Sequence, residues 1–194
     1  WPALLTGNIR QAAAGYYSTM FLTTNDTSYG SQTVTGSLFG IGDNFDGQLG
    51  LPQVATITPT TWVTGTKYLD FSSVSAGNYS SFFLLEDGTF YSCGFNSNGQ
   101  LGQGEHAYIV GSNPLPTLTG ILSSDIVAMQ GGHEFSLILT SGGDVYSCGE
   151  SALYPGGYGT LGLGPQEEAR RPTYVTGDVK AISAGNHSSL FLKN

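Results

Sequence analysis

Charge is scarce in this sequence. Asp, Glu, Lys and Arg make up 10% of its 194 residues, against about a quarter in ordinary globular domains. Positive charge is scarcest, with six Lys and Arg in all and only Arg170 and Arg171 adjacent. Counterion-driven binding to nucleic acid and docking on an anionic membrane both need clustered basic residues, so neither is expected. No stretch approaches the ~20 apolar residues that span a bilayer. The first residues, Trp1-Pro2-Ala3-Leu4-Leu5, have no initiator Met, basic region or apolar run. That start suggests a removed leader or a piece of something longer. Two cysteines, Cys93 and Cys148, are too few for a disulfide framework. They read as small buried hydrophobes, or as a bridge if their Cα atoms lie within about 7 Å. Long, capped helical periods are also missing.

What the sequence has is glycine, 29 in all, with 11 Tyr and 10 Phe in a chain of net charge −8. Glycine marks turns and aromatics favour strands. The glycines recur in order. Gly15, Gly77, Gly132 and Gly185 each precede a Ser- or Thr-bearing strand, in steps of 62, 55 and 53. Gly42, Gly94 and Gly149 each close the following strand, in steps of 52 and 55. A period near fifty implies side-by-side supersecondary units such as propeller blades. Phe82-Phe83-Leu84-Leu85 and Leu137-Ile138-Leu139 have the length and apolar continuity of strands buried on both faces. Glu86-Asp87-Gly88 and Ser141-Gly142-Gly143 are hairpin turns, followed by the return strands Phe90-Tyr91-Ser92-Cys93 and Val145-Tyr146-Ser147-Cys148. A short helical turn is admitted near Gln100-Leu101-Gly102.

The second copy runs Ala76-Gly77-Asn78-Tyr79-Ser80-Ser81, an apolar strand, Gly88-Thr89-Phe90-Tyr91-Ser92-Cys93-Gly94, then Asn96-Ser97-Asn98-Gly99-Gln100-Leu101-Gly102. Asn44 to Gly50 repeats the last element. This order resembles the regulator of chromosome condensation repeat family, over nearly the whole chain. The resemblance implies an all-β, seven-bladed propeller of four-stranded blades. Here there would be three and a half blades, at roughly 9–62, 69–120, 126–175 and 179–194. Some slots depart from the family pattern. Ile41, Cys93 and Cys148 stand where the family usually has Trp. The third copy replaces the Asn-x-x-Gly-Gln turn with residues Glu150 to Thr160. The first copy carries an irregular insertion, Thr23 to Thr35. Loops that depart from a repeat commonly carry its specific contacts, so Asn25, Tyr29, Tyr154 and Tyr158 are candidate interaction positions. An incomplete ring leaves open strand edges. A longer propeller, two copies closing one ring, or an open assembly would each resolve them.

Chemistry-bearing patterns fail on inspection. His133-Glu134 would need a second His at Leu137 to be a zinc protease motif. His133 and His187 fill neighbouring repeat slots and are expected to hydrogen-bond the adjacent turn. His106 fits no pattern. Gly157 to Gly162 has GxGxxG spacing, but Leu163-Gly164-Pro165 follows in place of a helix. Asp43 to Gly47 lacks calcium ligands at Phe45 and beyond. No catalytic residue, cofactor or metal ligand is assigned. Of three glycosylation sequons, at Asn25, Asn78 and Asn186, the last two belong to the repeat, which leaves Asn25 as the candidate acceptor.

The expected function is a non-catalytic protein-interaction surface or structural scaffold, secreted or extracellular, with a cytoplasmic location as the alternative. Its partner would be another protein, or further copies joined through the open edges. The family resemblance also implies nucleotide exchange on a small GTPase, with the insertion Thr23 to Thr35 as a wedge. Secreted inhibition of an enzyme, anchored by Tyr16, Tyr17, Tyr79 and Tyr154, is a third reading. A light-sensing role would need clustered Trp, and Trp1 and Trp62 are far apart in sequence.

Overall fold

The computed structural model describes residues 9–24, 27–29, 32–34, 38–50, 56–62, 71–103, 117–118, 125–151, 159–164 and 168–194. All regular structure among them is antiparallel β. The first unit comprises β1 (Ile9–Ala14), β2 (Ser18–Thr23), a small hairpin of β3 (Thr27–Tyr29) and β4 (Gln32–Val34), then β5 (Leu38–Asp43) and β6 (Thr56–Trp62). Its main sheet has the order β1-β2-β5-β6. The second contains β7 (Phe71–Ala76), β8 (Ser80–Leu85), β9 (Phe90–Gly94) and β10 (Thr117–Leu118) in a simple meander. The third contains β11 (Ile126–Gly131), β12 (Phe135–Thr140), β13 (Val145–Glu150) and β14 (Glu168–Thr176). A half unit pairs β15 (Val179–Ala184) with β16 (Ser189–Lys193). The first strands lie side by side, β1 on β7, β7 on β11 and β11 on β15, so the sheets fan out from a common inner edge. This is the expected set of three four-stranded blades and a half blade.

Two details correct the expectations. The insertion after β2 is not wholly irregular, because Thr27–Tyr29 pairs with Gln32–Val34. No helix forms at Gln100-Leu101-Gly102. The segment is a turn held by its own side chains: the Leu101 amide donates to Asn96 Oδ1 (2.9 Å) and the Asn98 amide to Gln100 Oε1 (3.1 Å). The first blade repeats both bonds, from Leu49 to Asn44 Oδ1 (2.9 Å) and from Asp46 to Gln48 Oε1 (3.0 Å). The Asn-x-x-Gly-Gln-Leu motif is thus a backbone-satisfying device, and the accepting Asn44, Gln48, Asn96 and Gln100 side chains are buried.

The core lies between the blades. Alternate residues of a strand point to opposite faces, and each second strand uses both. On β8, Phe83 and Leu85 pack with Met20, Leu22, Leu38 and Leu49 of the first blade. Phe82 and Leu84 pack with Ile126, Met129 and Ile138 of the third. On β12, Ile138 looks back while Leu137 and Leu139 look forward toward Ile182 and Phe191. The same alternation on β16 turns Phe191 inward and leaves Leu190 and Leu192 at 68% and 57% exposure. Those two leucines take the slots that a following blade covers elsewhere.

Polar clasps join the same blades. The Ser136 hydroxyl of the third blade donates to the Gln100 carbonyl of the second (2.8 Å), and Ser189 donates to the Thr160 carbonyl (2.8 Å). The Gln11 side chain donates to the Val74 carbonyl and accepts from the Val74 N–H, each at 2.9 Å. Cys93 points its thiol at the Gln48 carbonyl (3.5 Å), and Cys148 points at that of Gln100 (3.6 Å). Both cysteines are free and buried, and burial pushes each thiol from 9.0 up to about 12.

Two measurements check this packing. Phe83→Ala should cost about 3–5 kcal/mol, because it empties a fully buried interblade site. Leu190→Ala should cost less than about 1 kcal/mol. Urea unfolding followed by tryptophan emission compares them, and equal losses would contradict the two-sided strands. The cysteines give a pH signature. Their thiols ionise near pH 9 in the unfolded chain but not in the fold, so stability present below pH 9 is lost as pH rises toward 12. Replacing either Cys with Val should flatten that alkaline decline by up to about 1.4 kcal/mol per pH unit. An unchanged slope would show that these thiols titrate normally.

Candidate protein-interaction face

Each blade turns between its first and second strands through the same four-residue element. The Gly15, Gly77, Gly132 and Gly185 amides donate to the carbonyls of Ser18, Ser80, Phe135 and Ser188, all at 2.8 Å. Successive turns hold one another. Tyr16 N–H donates to the Asn78 carbonyl (3.3 Å), Asn78 N–H to Gly132 (3.1 Å) and His133 N–H to Asn186 (3.2 Å). The Asn78 side chain also donates to Asn186 Oδ1 (3.0 Å), reaching past the third blade. These turns therefore line the inner part of one rim.

A second set of turns joins them from outside. The amides of Asp43, Phe95 and Glu150 donate to the carbonyls of Tyr17, Tyr79 and Glu134 at 2.8–2.9 Å. The glycine before each donor explains its recurrence. Gly42, Gly94 and Gly149 sit at φ near +109°, a region costly for other residues. A Cβ there would meet the same three carbonyl oxygens at 2.2–2.3 Å.

The residues between these fixed points project from the rim, and they are aromatic. Rings run in sequence from Tyr17 to Tyr16 (centroids 4.3 Å apart), Tyr16 to Tyr79 (6.1 Å), Tyr79 to His133 (5.7 Å) and His133 to His187 (5.5 Å), with Phe95 beside Tyr79 (6.3 Å). Tyr16, Tyr17 and Phe45 are each more than half exposed. Around the rings stand Asp43, Asp46, Glu134 and Glu150, while the turns at 15–18, 43–48, 77–80, 95–100, 132–135, 150–151 and 185–188 contain no Lys or Arg. Burial, with Asp43 adding to it, raises the Asp46 carboxyl above its ordinary range. A side-chain hydrogen bond shared with Tyr16, reinforced by that neighbour's charge, raises the Tyr17 phenol. The face is acidic and aromatic.

The seven repeat glycines all lie in these two sets of turns. His133 bonds the adjacent turn through its backbone N–H. The ring nitrogen Nδ1 has no hydrogen-bond partner and lies 3.6 Å from Glu134 Oε1. Asn25, His106, Tyr154 and Tyr158 lie outside the described residues, and Tyr29 is described as backbone within β3. Phe45 and the two histidines were not singled out as binding positions by sequence, because each fills a slot that varies between copies. Among the described residues, no three His, Cys, Asp or Glu side chains are grouped to hold a metal.

The regulator of chromosome condensation (RCC1) repeat model matches residues 35–84, 87–139 and 142–192, and a second model of the repeat matches 71–100. The chain belongs to the RCC1 repeat family. Among curated relatives of this RCC1-repeat chain, the secretion-regulating guanine nucleotide exchange factor of Bos taurus is 29% identical over 133 residues, 66% of this chain and 26% of that protein. The probable E3 ubiquitin-protein ligase HERC6 of Homo sapiens is 27% identical over 94% of this chain and 17% of its own length. In solved structures, human WBSCR16 matches with a TM-score of 0.74 at 26% identity, over 94% of this chain and 45% of that one. Yeast RCC1 (Prp20), solved bound to Kap60, matches at 0.78 and 22% identity, over 99% and 43%, and so supports the fold alone. The RCC1-repeat chain therefore spans about a quarter or less of these curated relatives and under half of these solved chains.

Proposed function

We propose that the RCC1-repeat chain works without catalysis, as a scaffold that binds another protein on the aromatic rim. One observation carries the proposal: the continuous row of rings from Tyr17 to His187. Tyrosine offers large contact area at low entropic cost and is enriched at binding hot spots. Here it is mounted on turns that hydrogen bonds lock to each other, so little ordering remains to be lost on binding. Secretion, a glycan on Asn25 and assembly through the open edges belong to the same proposal. Secretion is supported by the low charge and the glycan by the sequon.

Parallel affinity capture followed by mass spectrometry tests the face. The Tyr16→Ala/Tyr79→Ala variant should lose by about tenfold or more a set of proteins that Asp87→Ala, on the opposite rim, retains. Loss of the same set by both variants, or by neither, would remove the rim from consideration. An intact mass of the secreted chain, before and after glycosidase treatment, checks Asn25.

A second reading has its own support, since one relative is named as a guanine nucleotide exchange factor. On that reading the segment after β2 acts on a small GTPase. The expected result here is no acceleration of fluorescent GDP release by the RCC1-repeat chain. A stimulation abolished by deleting residues 25–35 would favour exchange over scaffolding.

A further inference from the structure

Positive charge is kept away from one corner of the aromatic rim. Arg10 pairs with Glu86 in the hairpin after β8, at the opposite rim. Lys193 ends β16 on that side, where it faces Val179 and donates to Thr176, and Lys180 begins β15 beside it. Arg170 and Arg171 belong to the outer strand β14. Arg170 packs its backbone against Gly99 of the second blade, and Glu168 holds its guanidinium at 2.6 Å. Lys67 lies outside the described residues. Among the described residues, no cation pairs with Asp43 or Asp46 of the first blade.

Those two carboxylates stand beside the most exposed tyrosines of the rim. The Asp43 amide donates to the Tyr17 carbonyl (2.9 Å), which sets Asp43 next to the Tyr16–Tyr17 pair. The two rings stand 63° apart with centroids at 4.3 Å, are joined by a side-chain hydrogen bond, and are 58% and 62% exposed. Tyr79 adds a third ring, 6.1 Å from Tyr16. The Asp43 carboxylate accepts from Gln48 Nε2 (2.8 Å) and from the Phe45 amide (3.4 Å), and both donors are neutral. Its negative charge is therefore not cancelled. The Asp46 carboxyl responds to it, since burial and then the charge of Asp43 raise it above its ordinary range. We propose that this corner takes an arginine side chain from a basic segment of a partner protein. A planar guanidinium can lie flat on an exposed phenol ring and still aim N–H groups at a carboxylate in the ring's own plane of approach. An ammonium is a compact, strongly hydrated charge and gains less on an open surface. The hydrogen bond between Tyr16 and Tyr17 fixes the rings beforehand, which lowers the ordering cost of binding. The inference rests on the rim being a protein-binding face, and it assigns the chemistry that one corner of that face selects.

The test titrates the chain with an acetylated and amidated peptide of alternating glycine and arginine, following backbone amides by nitrogen-15 NMR. Saturable shifts are expected at Tyr16, Tyr17, Asp43 and Asp46, with affinity that falls as salt is added. The same peptide with lysine in place of arginine should bind about threefold or more weakly, and with neutral citrulline about tenfold or more weakly. Tyr16→Leu/Tyr17→Leu, which leaves the net charge unchanged, should weaken the arginine peptide about tenfold while the folded spectrum is retained. Asp43→Asn, which keeps an acceptor for Gln48 and the Phe45 amide, should also weaken it. Asp87→Asn on the opposite rim should leave it unaltered. Equal binding of the lysine peptide would show a field effect without ring stacking and overturn the proposal. Equal binding of the citrulline peptide would make the occupant a neutral polar segment and overturn it too, as would shifts elsewhere or none. Failure of the arginine peptide while capture still depends on Tyr16 and Tyr79 would dismiss the arginine and keep the face; failure of both would dismiss the face as well.

Discussion

Everything in this molecule depends on how the backbone of one blade's outer turn is satisfied by the blade beside it. A turn packed between sheets buries carbonyls, and a buried carbonyl without a donor is expensive. The chain answers with side-chain donors from the neighbouring blade, and Gln100 receives two of them, from Ser136 and Cys148. Ser136 serves Gln100, Ser189 serves Thr160, and the Cys93 thiol serves Gln48. Around those bonds the apolar faces of β8 and β12 interdigitate with their neighbours. Neither element is stable alone, because each blade keeps half of its core on the surface of another.

That mutual dependence explains why sequence revealed the architecture so readily. A residue that completes a neighbour's hydrogen bonds must recur at the same place in every unit. The Ser slot is of this kind at Ser136 and Ser189; the positive-φ glycines and the Asn-x-x-Gly-Gln-Leu turn recur because they satisfy the backbone of their own blade in the same way. Their spacing gave the blade count, the hairpin positions and the all-β class. The strand alternation followed from the apolar runs. Position 41 and the two cysteines were legible as one slot, though their part in the clasp was not, since a thiol reads as a hydrophobe in a string of letters.

The binding face was much less legible, for the opposite reason. Its residues occupy slots that the fold leaves free, so no period marks them. Tyr16, Tyr17 and Tyr79 could be suspected as anchors from their chemistry. Their alignment with His133 and His187 arises only when turns separated by more than fifty residues lie side by side. The altered turn of the third blade was harder still. Residues Glu150 to Thr160 read as an irregular loop with candidate tyrosines. What matters at its two ends is that Ser and Thr are too short to do what Asn and Gln do in the sister blades.

The bond between the Asn78 and Asn186 side chains has a mechanical meaning. It ties the second blade to the fourth and skips the third, so it spans two junctions with a single link. Opening either junction lengthens that chord, and the link resists hinging at both. The pair is a tie across the inside of an arc whose curvature the packing between blades already sets. A bound protein that spread the blades would have to break this bond without touching it, and would register there as a change in the bend of the whole array.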